Sequence, residues 1–307
     1  MLQGRVKLCG ASKGRLLRAS HAQSLDRLVS QAVWGILCLS LIHPGGPAAD
    51  DSKTQGRDQR SRYRLELMQS TIDNLQIASK EIQPDSALKP GRTPLLRYND
   101  PTRSLGDATT GLLDAGVWRI GETGRPTALV TLEIYRAQKD KAILSYEFLS
   151  LVPAQLVIES PRGPTWHPTG TELKMTRLAD AARPADSPKA RLAQMRLISR
   201  RFSVHETLDT GEKVECRLLS QPIDRYADED RHIADGAIFV FANGTNPELG
   251  LLLECDADDW SYGVARLSAA ALFAELDGKR FFEAPQRFNQ PRSAPYLGTT
   301  HPIAFED

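Results

Sequence analysis

Residues 235–255, DGAIFVFANGTNPELGLLLEC, constrain the fold more than any other stretch of the chain. Residues 237–242 and 249–253 are almost unbroken runs of Ile, Phe, Val, Leu and Ala, separated by the turn-forming string Asn243-Gly244-Thr245-Asn246-Pro247. Two short apolar runs around such a punctuator predict a β-hairpin. Neither run alternates with polar residues, so both faces of the hairpin must be covered, which places it in the interior of a sheet. Phe239 and Leu252 are the expected core positions.

Elsewhere the apolar period changes. Leu65, Met68, Ile72, Leu75 and Ile82 fall on one helical stripe and predict an amphipathic helix over 62–83, ended by Pro84. Residues 84–116, rich in Pro, Gly, Thr and Asp, read as irregular wrapping. A short strand follows at 116–120. Residues 127–135 then alternate, with Ala128, Val130, Leu132 and Ile134 on one face and Thr131 and Glu133 on the other, and 142–148 repeat the pattern. Such alternation marks half-buried antiparallel strands. Strand-like pieces continue near 156–159 and 171–176. Ser187 caps a second helix opened by Pro188, with Leu192, Met195, Ser199 and Phe202 facing inward. Its arginines 191, 196, 200 and 201 are expected on the wet side. Further strands are predicted at 202–208, 213–220, 260–267, 271–276 and 279–283, with a loop over 221–234 and a tight turn at Asp277-Gly278. The fold class is α+β: a large, mainly antiparallel β-sheet of about ten strands, curved or two-layered, with two amphipathic helices packed on it.

The first 49 residues differ from the rest. Six bases against one acid give them +5, so the remainder of a chain of net charge +1 carries −4. A mildly acidic body argues against a nucleic-acid partner. The basic stretch, the apolar run 32–42 and the small residues 46–49 have the order of a secretory signal. Spanning a bilayer takes about 20 apolar residues, so membrane attachment is expected only through this segment if it stays uncleaved. The expected organisation is therefore a signal peptide over 1–49, a flexible leader over 50–61, one domain over 62–285 with an internal seam near 179–187, and a loose tail over 286–307. The protein is expected to be secreted or periplasmic. Of the cysteines beyond the signal, Cys216 and Cys255 each lie in an apolar strand. In an oxidising compartment they pair if their Cα atoms come within about 7 Å; otherwise they are buried thiols.

Strings that imitate catalytic motifs fail on context. Asp209-Thr210-Gly211 matches the core of the aspartic-protease signature, but no second copy exists and Glu212 stands where a small residue belongs. In residues 205–209, His205 and Glu206 begin a zincin-like string, with Asp209 where the second His is needed, on a segment that reads as strand. The acidic loops 228–230 and 256–259 offer oxygen ligands of the kind calcium takes, but read more simply as solvated surface. Asn243 opens a glycosylation sequon and equally a hairpin turn. Nothing calls for a cofactor.

More informative are polar groups in apolar company. Glu147 shares a strand face with Ile143, Leu149 and Leu151, so it needs a basic partner or hydrogen-bond donors. Arg119, beside Trp118, and Arg125 are the candidates from the preceding strands, and Arg225 and Tyr226 lie just before the central hairpin. These six residues form the candidate binding set.

Trp118-Arg119, Gly124-Arg125-Pro126, YEFLSL at 146–151, RLAQMR at 191–196, DGAIF at 235–239, GTNPE at 244–248 and LLLE at 251–254 together resemble an uncharacterised family of exported bacterial proteins. That resemblance spans most of 116–285 and implies export without implying catalytic residues. The expected function is that of an exported, non-enzymatic binding or interaction protein for an unknown protein or small molecule. A hydrolase using Glu147 or Asp209, and a structural envelope component, are the alternatives.

Overall fold

The computed structural model describes residues 48–305 except 83–87, 104, 106–108, 138–140, 162, 209 and 288, with side chains from residue 56 onward. The expected signal segment up to residue 47 and Asp209 lie outside the described residues. Helix α1 (Ala48–Asp73) is followed by β1 (Gln76–Ala78), β2 (Leu96–Asp100), β3 (Thr109–Ile120), β4 (Ala128–Ala137) and β5 (Lys141–Ser150). Three short strands come next: β6 (Val157–Glu159), β7 (Thr165–Trp166) and β8 (Thr176–Arg177). After α2 (Pro188–Ser199) the chain forms β9 (Phe202–Thr207), β10 (Lys213–Leu218), β11 (Asp224–Asp228), β12 (Ile233–Asn243) and β13 (Asn246–Cys255). It closes with β14 (Trp260–Arg266), β15 (Ala271–Leu276), β16 (Lys279–Ala284) and β17 (Tyr296–Ala304).

The strands make three antiparallel sheets. A five-stranded sheet has the order β17-β5-β4-β3-β2, and a nine-stranded sheet runs β16-β15-β9-β10-β12-β13-β14-β8 with β11 also paired to β12. A small sheet, β1-β6-β7, completes the set. The two large sheets face each other, and each has a helix on its outer side. Strand alternation shows the layering directly. On β4, Val130, Leu132 and Ile134 join Met68 and Ile72 of α1 in an outer core. Leu129 and Tyr135 point the other way, into a core shared with Ile238, Val240 and Leu252 of the second sheet. Phe239, Phe241, Leu251 and Leu253 then face α2 with Met195.

The central hairpin is β12–β13, buried on both faces as its composition requires. Every residue of β13 is buried, and Phe239 and Leu252 are wholly so. Asn243 and Asn246 pair across a two-residue loop, in which Gly244 takes the positive φ (+60°) that a II′-type turn asks of its first residue. The pairing shifts by one residue just inside the turn, from Phe241–Leu249 to Ala242–Pro247. Glu248 is thus the extra residue of a β-bulge. A bulge turns a side chain away from its strand's alternation, and this one lets Arg103 reach Glu248 at 3.3 Å.

The nine-stranded sheet curls. β10 and β12 share only two residue pairs, Arg217–Ala242 and Leu218–Phe241, and the sheet bends at that narrow join. Its far strands return towards each other, so that Phe281 of β16 meets Tyr262 of β14 edge-to-face at 5.2 Å, with Phe202 against both rings.

The architecture is α+β and mainly antiparallel, but with seventeen strands among the described residues rather than about ten. Several expectations change. Residues 50–61 are part of α1, not a flexible leader, and the helix ends at Asp73, where Asn74 Nδ2 donates to Ser70 O at 2.7 Å. Ile82 still packs on the outer core without being helical, because an apolar residue facing a core keeps its place whatever the backbone does. Residues 84–116 contain β2 and much of β3, and 221–234 contain β11. The expected loose tail holds β17, paired with β5 over nine residues from Tyr296–Leu149 to Ala304–Lys141. β17 is an edge strand, where Pro302 and polar side chains are tolerated, and this is why its sequence reads as loop. The 179–187 stretch is no seam: Trp260 Nε1 donates to Ala182 O at 3.0 Å and Gln194 Nε2 to Arg183 O at 2.9 Å, within one compact unit, Ala48–Asp307.

Phe239→Ala empties a site enclosed by sheet and helix and is expected to cost about 3–5 kcal/mol of stability. Equilibrium urea unfolding measures it; a loss below about 1 kcal/mol would place Phe239 outside the cooperative core.

Candidate functional site

Four of the six residues singled out in the sequence gather at one end of the sheet–sheet joint. Arg119 on β3 donates from Nη1 to both oxygens of Asp224 of β11, at 2.8 and 3.1 Å, and from Nε and Nη2 to Gly121 O and Gly124 O. Arg125, in the β3–β4 turn, grips both oxygens of Glu254 on β13, while its N–H donates to Asp228 Oδ2 at 3.0 Å. Tyr226 donates to Glu254 Oε1 at 2.7 Å from the next strand but one. That reach depends on Gly236, which lies between Tyr226 and Glu254 in the register; a Cβ there would sit 2.4 Å from the tyrosine ring. Arg225 and Arg191 share Asp235 at 2.6 and 2.9 Å, so Arg191 is a half-covered ion-pair partner rather than a solvated helix charge. Trp118 turns away from all of these into the outer core, where its Nε1 donates to Gln69 at 3.1 Å.

Each of these arginines is matched by a carboxylate. Bidentate, largely covered pairs fix geometry and carry no surplus charge to offer a ligand. This end of the molecule is a stitched joint between two sheets. Neither Arg119 nor Arg125 serves Glu147, contrary to expectation.

Glu147 lies at the other end. It opens onto a cleft of about 750 Å³ lined also by Asp100, Glu133 and Glu206, with Arg103 as the basic member of the lining. The placement follows from register. Glu147 on β5 pairs with Thr131 on β4, so Glu133 is its diagonal neighbour on the same inward face. Tyr98 and Tyr135 donate to the two oxygens of Glu133 at 2.9 and 3.0 Å, and Tyr296 of β17 donates to Glu147 Oε1 at 3.0 Å. Asn243 Nδ2, the amide of the sequon, donates to Glu206 at 2.9 Å. Behind Arg103, Asn246 Nδ2 donates to Glu248 Oε1; Glu248 Oε2 and Asn246 Oδ1 have no hydrogen-bond partner among the described residues.

The electrostatics of the cleft follow from burial. Loss of water, then repulsion from Glu133, hold the Glu147 carboxyl well above the ordinary value of 4.5, and Arg103 and Tyr296 offset this only in part. Glu133 is raised too, by burial first, with Arg103 and the two tyrosine hydroxyls opposing. Asp100 moves the other way because Thr102 donates to it from both Oγ1 and backbone N. Burial works against the Arg103 charge, yet Glu248, Glu133 and Glu147 hold it firmly protonated. Tyr296 also carries Arg266 over its ring at 5.4 Å. Arg266 is 1% exposed and donates from Nη2 to Pro285 O, while its Nε and Nη1 have no partner among the described residues.

The sequence pointed to Glu147 and missed its company. Cross-strand alternation placed Glu133 on the wet face of β4; a second sheet covers that face, and Glu133 is 3% exposed. Arg103, Glu248 and Tyr296 gave no periodic signal, since they come from a loop, a bulge and an edge strand. The other motif readings resolve simply. Cys216 and Cys255 are free and buried, on strands separated by β12; burial pushes their thiols up to about 12 and about 11. His205 and Glu206 are consecutive on β9, so they face opposite sides and cannot act together as zincin ligands. His205 stacks on Phe273 at 4.7 Å. Asp228 is taken up by Arg125 and Arg231, and Asp256 by the backbone N–H groups of residues 258 and 259. Among the described residues no three His, Cys, Asp or Glu side chains converge as metal ligands would.

No protein-family model, curated protein or solved structure matches the chain.

Gly236→Ala is expected to force the Tyr226 ring off Glu254 and cost about 1–3 kcal/mol, read by urea unfolding; no measurable loss would mean the ring has other room. Glu147 gives a pH test. The folded chain keeps a proton that the unfolded chain, titrating near 4.5, has released, so this carboxyl lowers stability increasingly as pH rises above 4.5. Glu147→Gln should therefore melt higher than the parent near neutrality, with the advantage shrinking towards pH 4.5. A difference constant over that range would show a carboxyl that is ionised in the fold.

Proposed function

We propose that the protein is an exported, non-enzymatic binding protein that holds a cationic group, an amine or guanidinium, in the carboxylate cleft. The observation that carries this reading is the charge imbalance of the lining. Asp100, Glu133 and Glu147 line the cleft together with one arginine, Arg103, whose charge is already shared with the wholly buried Glu248. Carboxylates drawn from water without a matching cation either gain a proton or accept one from outside as a partner. A ligand cation answers that need with charge-assisted hydrogen bonds in a half-enclosed site, where they are stronger than in water. Export rests on the basic, apolar and small-residue order of the first 49 residues.

The other large apolar side chains offer little to a protein partner. Among the described residues the exposed ones are Tyr63, Val157, Leu197 and Phe281, each on a different element.

A second reading has one observation in its favour. A carboxyl kept protonated beside another carboxylate in a cleft is the arrangement of acid–base hydrolysis. Against it, both oxygens of Glu133 accept hydrogen bonds from tyrosines, which lowers the basicity of the carboxylate beside Glu147.

Titration calorimetry with agmatine and putrescine distinguishes the two. Binding needs Glu147 ionised, so affinity should rise with pH, with proton release on the acid side, and Glu147→Gln should weaken it by about tenfold or more. Failure of both amines to bind at any pH, or equal binding by the parent and Glu147→Gln, would overturn the proposal. Turnover of chromogenic glycosides or esters, lost in Glu147→Gln, would establish the second reading instead.

A further inference from the structure

We infer that Arg103 is an internal competitor for the cleft and holds the place of a ligand guanidinium, an inference that rests on the cation-binding reading above. Its contact with Glu248 is unlike the forked arginine–carboxylate pairs of this chain. Arg97, Arg125, Arg201 and Arg225 each engage both oxygens of their carboxylate, with the closer bond at 2.5 or 2.6 Å. Arg103 reaches one oxygen of Glu248, from Nη1 to Oε1, at 3.3 Å. Its side chain is 30% exposed on the cleft wall, whereas Glu248 behind it is wholly buried.

What this contact leaves unmet points to the ligand. Glu248 Oε2 and Asn246 Oδ1 are buried acceptors with no hydrogen-bond partner among the described residues, although Asn246 Nδ2 donates to Glu248 Oε1. A buried carboxylate oxygen without a donor costs stability. An arginine rooted in the chain at residue 103 covers one of the two oxygens, whereas a free guanidinium entering from the cleft can turn its fork to both. The root itself is fixed: Arg103 N donates to Asp100 O at 3.1 Å in the turn after β2. Rotation of the side chain carries the guanidinium off Glu248 without moving that turn. Glu133 and Glu147 also act on Arg103 and favour its charge, so a second guanidinium suits the same place only once Arg103 has left it. An ammonium, a point charge without a planar fork, gains less there.

Titration calorimetry compares the parent with Arg103→Ala, each with agmatine and with putrescine, across pH. Losing Arg103 also removes a charge that helps Glu133 and Glu147 to ionise, so affinities are compared on the alkaline limb, where both have lost their protons. There Arg103→Ala should bind agmatine about tenfold or more tighter than the parent, with a smaller gain for putrescine, and added Glu147→Gln should cancel the gain. The variant leaves Glu248 without its cation, so it should melt lower than the parent when ligand-free, and agmatine should raise its Tm by more than the parent's. Arg103→Gln, shorter and neutral, gives the same comparison if the alanine variant does not fold. Agmatine binding by the variant that equals or falls below the parent's would overturn the inference and leave the cleft a cation site. An equal gain for both amines would overturn it too, since Arg103 would then merely repel cations. No binding of either amine by parent or variant would overturn it together with the reading beneath it.

Discussion

Covering the polar half of an alternating strand with a second sheet is the constraint on which the rest of this structure depends. β4 and β5 carry apolar residues outward to α1 and, at intervals, polar ones inward. Once the nine-stranded sheet lies over that inner face, every carboxylate on it must be matched, hydrogen-bonded or protonated, because desolvating an unpaired charge costs several kcal/mol. The molecule answers differently at its two ends. At one, Arg119–Asp224 and the forked pair Arg125–Glu254 bridge the sheets, and Tyr226 crosses Gly236 to complete the second. At the other, carboxylates outnumber their cations, and tyrosine hydroxyls and a retained proton make up the difference. Matched charge makes a joint; unmatched charge makes a candidate site.

The end of β2 and the two residues after it border two different recesses. Residues there alternate in direction, so Asn99 and Pro101 border a recess lined also by Arg57 and Arg60 of α1, while Asp100 and Thr102 border the acidic cleft. One strand end thus separates a basic recess on the α1 side from an acidic one on the inter-sheet side. Opposite charge on the two faces of a single strand is possible because the sheet itself keeps the two sets of side chains apart.

How much of this was legible varies with how local the cause is. The hairpin β12–β13 and the strands β4 and β5 were readable because apolar runs and period-two alternation report burial whatever covers them. The α2 cap at Ser187 was readable for the same reason: its Oγ accepts from Ala190 N within one turn. β11 and β17 were not, since edge positions tolerate the polar and proline residues that also make loops. The set around Glu147 was half legible. An acid among Ile143, Leu149 and Leu151 announced itself, but its neighbours depend on which strand lies beside which, and its expected arginines went to other carboxylates.

The sequence by itself determined the class of the fold, the doubly covered hairpin and the anomaly at Glu147, because each is written in residues close together along the chain. Only the tertiary structure decided that Glu133 is buried, that Tyr296 from the far end of the chain donates to Glu147, and that the bulge at Glu248 faces Arg103. Those facts arise from pairings between segments tens to more than a hundred residues apart. Burial and charge balance are properties of what is brought together in space, and no periodicity along a strand records what will lie across from it.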